Sequence, residues 1–195
     1  MTKKIYLVGG SGYIGRNFIM EKDFCFINIR SWQYIRLPNS SNLIYLAGNS
    51  NTNLNYQESK EELIKERKNL NFYLKQDINV FYLSSIKTLN NEHSDYTNHK
   101  LMCEEQCKNN SQSIIRLSSV FGNEYERPII MNDICKILVN KKGKLKNPDS
   151  SVNIVHISNI IKSILSAIKS KSKGIYNLVM SNSVRGSDLL EIIKN

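Results

Sequence analysis

The sequence holds few of the residues and patterns that mark membrane, secreted or zinc-binding proteins. Among 195 residues there are three prolines, one tryptophan and four cysteines. No apolar run approaches the length of a membrane-spanning helix, and the N-terminus shows no signal-peptide pattern. Cys103 and Cys107 lie four apart on a predicted helix, but the two further ligands that a zinc site needs are not nearby in the sequence. We therefore expect a cytoplasmic protein with reduced thiols, no membrane contact and no metal.

Acidic residues are also scarce relative to basic ones. There are 17 Asp and Glu against 27 Lys and Arg, which gives a formal net charge of +10. The lysines are scattered apart from short clusters at 141–144 and 169–173, and no nucleic-acid motif accompanies them. We attribute the charge mainly to compositional drift, because Lys, Asn and Ile are all heavily used and all are favoured by AT-rich coding. Attraction of sugar nucleotides and a phosphorylated cofactor would be a secondary benefit. Nucleic-acid binding, which would depend steeply on salt, is a minor alternative.

Three glycines spaced three apart follow a β-rich run near the start of the chain. The run Ile5–Val8 leads into Gly9–Gly15, with the sequence GGSGYIG, and then into a predicted helix. In a dinucleotide-binding loop Gly9 would allow the tight turn, Gly12 the close approach of a pyrophosphate, and Gly15 the packing of helix on strand. A mononucleotide P-loop is excluded, because no Gly-Lys-Ser/Thr sequence follows. The pattern predicts a dinucleotide site, with an ordinary glycine-rich turn as the alternative.

Short apolar runs alternate with amphipathic stretches, which is typical of an α/β protein with helices on both faces of a parallel sheet. We predict a Rossmann-like, doubly wound parallel sheet in a single domain. Residues 1–122 would form the dinucleotide-binding core and residues 123–195 a reduced substrate-side lobe packed on it. The segment 30–42 is too short for a complete helix–strand unit, so we expect that unit to be lost or reduced to a short strand at Tyr34–Leu37. The predicted strands are 4–8, 24–29, 43–47, 80–84, 114–117, 152–156 and 174–178; the predicted helices are 13–21, 57–75, 96–108, 158–169 and one from 187, with a looser pattern at 128–139.

Tyr96 and Lys100 lie one helical turn apart, on the same face of a predicted helix. A lysine ammonium beside a tyrosine hydroxyl favours the phenolate, so Tyr96 would be able to exchange a proton with a substrate near neutral pH. Lys100 would also bind the nicotinamide ribose. The preceding strand ends in Ser84 and Ser85, and one of these hydroxyls would bond the substrate oxygen. The alternatives are a surface tyrosine–lysine pair and serines that satisfy a turn.

With these motifs in this order, the sequence resembles the extended short-chain dehydrogenases, the NAD-dependent epimerase/dehydratase family that acts on nucleotide-activated sugars. The resembling segments also include Leu43–Gly48, Ile114–Gly122, Ile154–Ile160 and Gly174–Leu178. The resemblance implies that Ser85, Tyr96 and Lys100 are catalytic, and that Ser84 and Ser119 lie on the substrate side. It implies cofactor contacts from Gly9, Gly12, Tyr13, Ile14, Gly15, Arg30, Ala47 and Gly48.

The departures from the family pattern bear on the reaction. Sugar 4,6-dehydratases follow the catalytic hydroxyl with an Asp-Glu pair, whereas Ile86 and Lys87 follow Ser85 here, which argues against dehydration. The segment 116–122 resembles, weakly, that of the family members that reduce keto-deoxysugars. We therefore expect an NAD(P)-dependent reductase or epimerase of a nucleotide-activated sugar, in the context of polysaccharide biosynthesis. The alternative is a non-catalytic dinucleotide-binding or sensor protein of the same fold, favoured by the shortened inter-strand segment and the altered substrate contacts.

The end of the second strand bears on the choice of cofactor. Folds that prefer NAD place a carboxylate there for the ribose hydroxyls. This chain has Asn28 and Arg30 instead, followed by Ser31. A cationic strand end suits a 2′-phosphate, so we expect NADP(H), with NAD(H) as the alternative.

The remaining charged and ligand-type residues are expected to be structural. We expect His99 at the surface, with contact to the site as the alternative. We expect Glu104, Glu105 and the charge run 58–68 on solvated helix faces, and His156 at a strand–helix junction. The apolar faces of the long helix and of the Tyr96 helix would pair with their copies in a homodimer, an arrangement that the family resemblance also implies.

Overall fold

The computed structural model describes residues 4–49, 55–90, 94–122, 134, 137, 138, 145 and 148–194. Within these residues, strands and helices alternate along the chain, as the sequence predicts. The strands are β1 Lys4–Val8, β2 Cys25–Ile29, β3 Asn42–Tyr45, β4 Asn79–Ser85, β5 Ser113–Leu117, β6 Ser119–Phe121, β7 Ser151–Val152, β8 Ile154–His156, β9 Ile175–Leu178 and β10 Val184–Arg185. The helices are α1 Tyr13–Ile19, α2 Tyr56–Leu74, α3 Asp95–Asn109, α4 Ile157–Lys169 and α5 Gly186–Lys194, with a 3₁₀ turn at Ile86–Leu89.

Six parallel strands form the main sheet, in the order β2-β1-β3-β4-β5-β9. β1 lies between β2 and β3, so that Val8 pairs with Ile29 on one side and with Tyr45 on the other. The direction in which the chain adds strands therefore reverses beside β1. In open α/β sheets, ligands bind in the crevice at the carboxyl ends of the strands where this reversal occurs. The predicted Rossmann-like parallel sheet is confirmed.

Alternating side chains of the central strands fill two cores, one on each face of the sheet. Phe81 and Leu83 of β4 pack with α1 and α4. Tyr82, between them, packs on the opposite face with α2 and α3. α4 is helical because its isoleucines recur every three or four residues, which forms one apolar stripe that covers the sheet. The helices thus fix the sheet from both sides and leave its carboxyl edge for loops.

The chain beyond β5 contributes to the main sheet and to two small sheets. β6 pairs in parallel with β8, and β7 pairs antiparallel with β10. β9 completes the main sheet beside β5, and α4 packs on that sheet. The division predicted after residue 122 stays a prediction, although β9 and α4 lie beyond it. The segment predicted at 128–139 falls largely outside the described residues.

The segment between β2 and β3 is held without secondary structure of its own. Residues 30–41 contain no helix or strand, so the loss of that unit is confirmed and no short strand forms at Tyr34–Leu37. α2 fixes the segment instead: Asn69 Nδ2 and the Tyr73 hydroxyl both donate to the carbonyl oxygen of Gln33, each at 2.8 Å. Within the described residues, no helix is both long and apolar enough to cross a bilayer.

Candidate active site

The predicted site residues outside α3 gather at the carboxyl edge of the main sheet. Because the strands are parallel, their carboxyl ends share this edge. The residues there are Gly9, Gly12, Tyr13, Ile14 and Gly15 after β1, Arg30 after β2, Ala47 and Gly48 after β3, Ser84 and Ser85 at the end of β4, and Ser119 after β5. The structure therefore brings residues from five strand ends to one edge of the sheet.

The glycine loop has the close backbone contacts that its sequence predicts. Gly9 adopts φ +85°, and a Cβ there would lie 2.7 Å from the backbone nitrogen of Ala47. A Cβ on Gly15 would overlap the backbone of Gly10, so only glycine lets α1 pack this closely. Gly12, by contrast, is exposed, and a Cβ added there would lie 3.5 Å from its nearest neighbour, the Gly9 carbonyl oxygen. The loop is therefore tight on its protein side and open where a pyrophosphate would approach.

The two side chains that follow Gly12, Tyr13 and Ile14, are half-buried and pack against the core on the α1 side of the sheet. A Cβ on Gly122, after β6, would overlap the hydroxyl of Tyr13. The tyrosine side chain therefore reaches across from α1 to the far side of the carboxyl edge. Ile14 packs against the core formed with α4.

The end of β2 combines a structural amide with an exposed cation. Asn28 Oδ1 accepts a hydrogen bond from the Gly10 backbone N–H at 3.0 Å, so this side chain holds the glycine loop. Arg30 follows and is exposed, with its backbone N–H donating to Gln33 Oε1 at 3.2 Å. Asn28 is a site-forming residue whose role the sequence reasoning missed. Arg30, two residues further along the chain, is exposed, so its guanidinium is accessible to solvent or to a ligand.

Local capping sets the start of α3 and so the position of Tyr96. Ser94 Oγ accepts from the backbone N–H of Thr97 at 3.2 Å, and Thr97 Oγ1 accepts from the backbone N–H of Ser94 at 2.9 Å. This reciprocal capping places Tyr96 in the first turn of the helix. The Tyr96 ring is buried against Leu63 of α2.

Lys100 lies one turn further along α3 and its ammonium is buried. It is 3% exposed, and its Nζ lies 3.4 Å from Glu66 Oε1 and 3.2 Å from the hydroxyl of Tyr82. A Cβ added to Gly48 would overlap that Nζ, so the ammonium lies directly against the loop after β3. Lys100 thereby connects α3 to the edge that carries the glycine loop.

Ser85 and Ser84 differ in how their hydroxyls are used. Ser85 is half-buried, and its Oγ accepts from the backbone N–H of Lys87 at 3.3 Å, which caps the 3₁₀ turn. Ser84 is buried and donates to Glu104 Oε1 at 2.6 Å. Glu104 also binds Arg116 of β5, with Oε1 2.9 Å from its Nε and Oε2 2.5 Å from its Nη2. The Ser84 hydroxyl is thus hydrogen-bonded to the buried Glu104–Arg116 ion pair, whereas Ser85 lies nearer the surface. Ser119 is exposed at the start of β6.

No protein-family model matches the sequence, and no curated protein matches it. Solved structures do match. The UDP-N-acetylglucosamine 4-epimerase from Bacillus cereus is 15% identical, with a TM-score of 0.76 over 100% of this chain and 81% of that chain. The dTDP-4-dehydrorhamnose reductase from Bacillus anthracis, in complex with NADP, is 14% identical, with a TM-score of 0.77 over 99% and 80%. The chain has the short-chain dehydrogenase fold.

The same short-chain dehydrogenase fold carries a third named reaction among the matching structures. The NAD-dependent NDP-hexosamine 5,6-dehydratase TunA is 11% identical, with a TM-score of 0.76 over 98% of this chain and 80% of that chain. An epimerase, a reductase and a dehydratase therefore share the architecture. The fold by itself does not select the reaction, so the choice must come from the residues of the site.

Three polar residues of this short-chain dehydrogenase fold are buried, contrary to what the sequence suggests. Glu66 and Glu104 are 0% exposed and His99 is 3% exposed, so their assignment to solvated surfaces is wrong. One sequence feature does point to Glu66, which lies three residues after Leu63 and four before Leu70, on the buried stripe of α2. The expectation for His156 is confirmed: it caps α4, and its Nδ1 accepts from the backbone N–H of Ser158 at 3.3 Å.

The buried residues Glu66, His99 and Cys103 have the donor types of a metal site. Their ligand atoms all lie within 4.8 Å of one another. Burial raises the pKa of the Cys103 thiol to about 12, which disfavours the thiolate that would bind a metal. The ammonium of Lys100 already lies beside the Glu66 carboxylate and would repel a divalent cation. The cluster therefore fits an internal salt bridge better than a metal centre.

Proposed function

We propose that this chain is an NAD(P)-dependent reductase or epimerase of a nucleotide-activated sugar, in which Tyr96 is the acid/base. One observation carries the proposal: the ammonium of Lys100 lies against Gly48, at the carboxyl edge that also holds the glycine loop. The contacts of Lys100 with Gly48 and of Gly9 with Ala47 support this proposal, because they bring the predicted acid/base helix and the predicted cofactor loop to the same edge of the sheet. This is where ligands bind in open parallel sheets.

The residues of the crevice fit a dinucleotide. The backbone of Gly12 is exposed and has room for a ligand, whereas Gly9 and Gly15 pack closely against the protein backbone and hold the loop in place. When bound, the nicotinamide dinucleotide supplies or accepts a hydride. Tyr96 would donate the proton to the sugar ketone oxygen during reduction, and would take it back in the reverse direction. Ser85 would hold the same oxygen, and Lys100 would bind the nicotinamide ribose.

The neighbouring structures support the substrate class without fixing the reaction. Their names include a UDP-sugar epimerase and a dTDP-sugar reductase bound to NADP. Dehydration is disfavoured for this chain, because Ile86 and Lys87 follow Ser85 in the 3₁₀ turn and no carboxylate pair is there. A homodimer through α2 and α3 stays a prediction.

The experiment that tests the proposal is a titration of the purified protein with NADPH and with NADH. Trp32 is the single tryptophan and follows β2 at the carboxyl edge, so its fluorescence should report binding. Tighter binding of NADPH would support a reductase and justify a screen of keto-sugar nucleotides. Tighter binding of NAD or NADH would favour an epimerase. Failure of all of these cofactors to bind would contradict the proposal.

Replacing Gly12 with alanine should separate cofactor binding from folding. The added methyl group has room in the free protein and φ is −71°, so the free energy of unfolding should change by less than about 1 kcal/mol. The same methyl group would stand where a pyrophosphate approaches, so NADPH affinity should fall by roughly tenfold or more. Both quantities are measured on the same variant, by urea unfolding and by Trp32 fluorescence. Unchanged NADPH affinity would show that no pyrophosphate lies over this loop.

Replacing Arg30 with alanine should reduce the preference for NADPH. The exposed guanidinium after β2 would pair with a 2′-phosphate, and a charge-assisted bond of this kind is worth roughly tenfold in affinity. NADPH affinity should therefore fall by about that factor while NADH affinity stays the same. Arg185→Ala is the matched control, because Arg185 is exposed and pairs with Asp188. Equal losses for NADPH and NADH would contradict the assignment.

A second candidate is dinucleotide binding without turnover. The observation that favours it is the burial of Lys100, whose ammonium faces Glu66 and Tyr82. In that case NADPH would bind normally, but no nucleotide sugar would be converted, and Tyr96→Phe would change nothing measurable.

A further inference from the structure

Glu66 is a fully buried carboxylate at the junction of three structural elements. It belongs to α2, and its Oε2 accepts from the backbone N–H of Asn49, in the loop after β3, at 3.1 Å. The same oxygen lies 3.0 Å from His99 Nε2 on α3, and Oε1 lies 3.4 Å from Lys100 Nζ. Glu66 therefore joins the loop beside Gly48 to the helix that carries Tyr96.

Lys100 is the cation that balances this buried carboxylate. Burial by itself raises the pKa of Glu66, but the charge of Lys100 and the hydrogen bonds from His99 and Asn49 outweigh it and hold that pKa below its usual range. Burial lowers the pKa of Lys100, and Glu66 outweighs it in turn, so the pKa of Lys100 lies above its usual value. In the described part of the chain His99 Nδ1 has no hydrogen-bond partner.

The placement of Lys100 depends on Glu66 because its other contacts are weaker. Tyr82 offers a hydroxyl at 3.2 Å and a ring centroid at 5.3 Å, but no charge. An ammonium with these partners alone would be a buried, uncompensated charge, which proteins avoid by losing the proton. The groups that face Lys100 are Glu66 from α2, Tyr82 from β4, and Tyr96 and Cys103 from α3.

We propose that Glu66 is a positioning residue, whose buried carboxylate keeps Lys100 as an ammonium against Gly48. Glu66 touches neither substrate nor cofactor and acts through Lys100. The catalytic meaning of this role rests on the proposed function, whereas the ionisation of Lys100 can be measured without turnover.

Replacing Glu66 with glutamine should neutralise Lys100 within the accessible pH range. Protein labelled with ¹³C at lysine Cε is titrated by NMR, and the Lys100 resonance is assigned from its loss in Lys100→Met. In Glu66→Gln the pKa of Lys100 should fall by about two units or more, because burial is then unopposed. Glu61→Gln is the matched control, since Glu61 is on the same helix and its side chain is 91% exposed. It should leave the pKa of Lys100 unchanged.

The Lys100 titration distinguishes a positioning role from a structural one. A purely structural role for Glu66 would not move this titration while the fold is retained. Absence of movement at Lys100 in folded Glu66→Gln would overturn the proposal.

Glu66→Asp keeps the experiment decisive if the glutamine variant does not fold. The shorter side chain keeps the charge but withdraws it from Lys100, so the Lys100 titration should move in the same direction by less. An unmoved Lys100 titration in a folded Asp variant would overturn the proposal. Failure of the proposed function is seen separately, as wild-type protein that binds neither NADPH nor NADH while the Lys100 titration responds to Glu66.

Discussion

Replacing Tyr96 with phenylalanine should lower kcat/KM by roughly 10²- to 10⁴-fold and leave the dissociation constant for NADPH within about twofold. The hydroxyl is the proposed proton donor, whereas the ring only packs against Leu63 and Tyr56 between α2 and α3. Phenylalanine keeps that packing, so the loss should appear in the chemical step. The measurement is the rate of nicotinamide oxidation with the nucleotide sugar that the wild-type protein turns over, alongside a fluorescence titration with NADPH.

Tyr56→Phe is the matched control for this substitution. Tyr56 belongs to the same small cluster, and its backbone N–H donates to Asp95 Oδ2 at 2.8 Å, a bond that the substitution does not touch. Its activity should match that of the wild-type protein. A Tyr96→Phe variant with full activity would eliminate the acid/base role and leave the binding function as the better account.

The second large effect concerns stability. Glu104→Gln should reduce the free energy of unfolding by about 3–5 kcal/mol, because it leaves Arg116 buried without its counter-ion. Glu104 is 0% exposed and also accepts hydrogen bonds from Ser84 and Thr88. The loss is a large share of the 5–15 kcal/mol that typical domains possess. Urea unfolding followed by circular dichroism measures it.

Two further variants test whether the loss of stability comes from leaving Arg116 buried without its counter-ion. Glu105→Gln neutralises the carboxylate at the adjacent position, whose side chain is 62% exposed and whose Oε2 lies 3.8 Å from Lys108 Nζ. This variant should lower the free energy of unfolding by less than about 1 kcal/mol. The double variant Glu104→Gln with Arg116→Met should recover part of the loss, because no unpaired charge remains buried. Equal, small effects at 104 and 105 would show that the Arg116 pair contributes little.

The contribution of Glu104 should also depend on pH. Burial raises the pKa of Glu104, but hydrogen bonds from Arg116 and Ser84 outweigh it and hold the pKa below its usual range. A carboxyl whose folded-state pKa is lowered stabilises the protein above its unfolded pKa, which is about 4.3, and loses that contribution as pH falls through the folded value. The difference in unfolding free energy between wild type and Glu104→Gln should therefore be full at neutral pH and shrink in acid.

Local chemistry in the sequence was sufficient to predict the glycine loop after β1. Gly9, Gly12 and Gly15 follow an apolar run at a spacing that suits one kind of turn, and a turn of this kind depends on its own backbone conformation. The element order and most strand bounds followed in the same way, because short apolar runs and amphipathic stretches differ in period. These features are encoded within a few residues of one another.

Long-range polar contacts were not predictable in this way. Glu66, His99 and Glu104 look like charged or polar residues of exposed helices when each helix is considered alone. They are buried because α2, α3 and β5 pack together and supply partners from distant parts of the chain. Lys100 is 34 residues from Glu66 in the sequence, and Arg116 is 12 residues from Glu104. A buried charge is tolerated only where a distant segment brings its counter-ion.

The sequence by itself therefore determined the parallel α/β architecture, the glycine loop, and the order in which Ser85, Tyr96 and Lys100 occur. Only the tertiary structure decided that the Lys100 ammonium turns inward to Glu66 against Gly48, and that Ser84 is bound to Glu104. The physical reason is that secondary structure and tight turns depend on neighbouring residues, whereas the direction of a charged side chain depends on which distant group neutralises it after the helices have packed on the sheet.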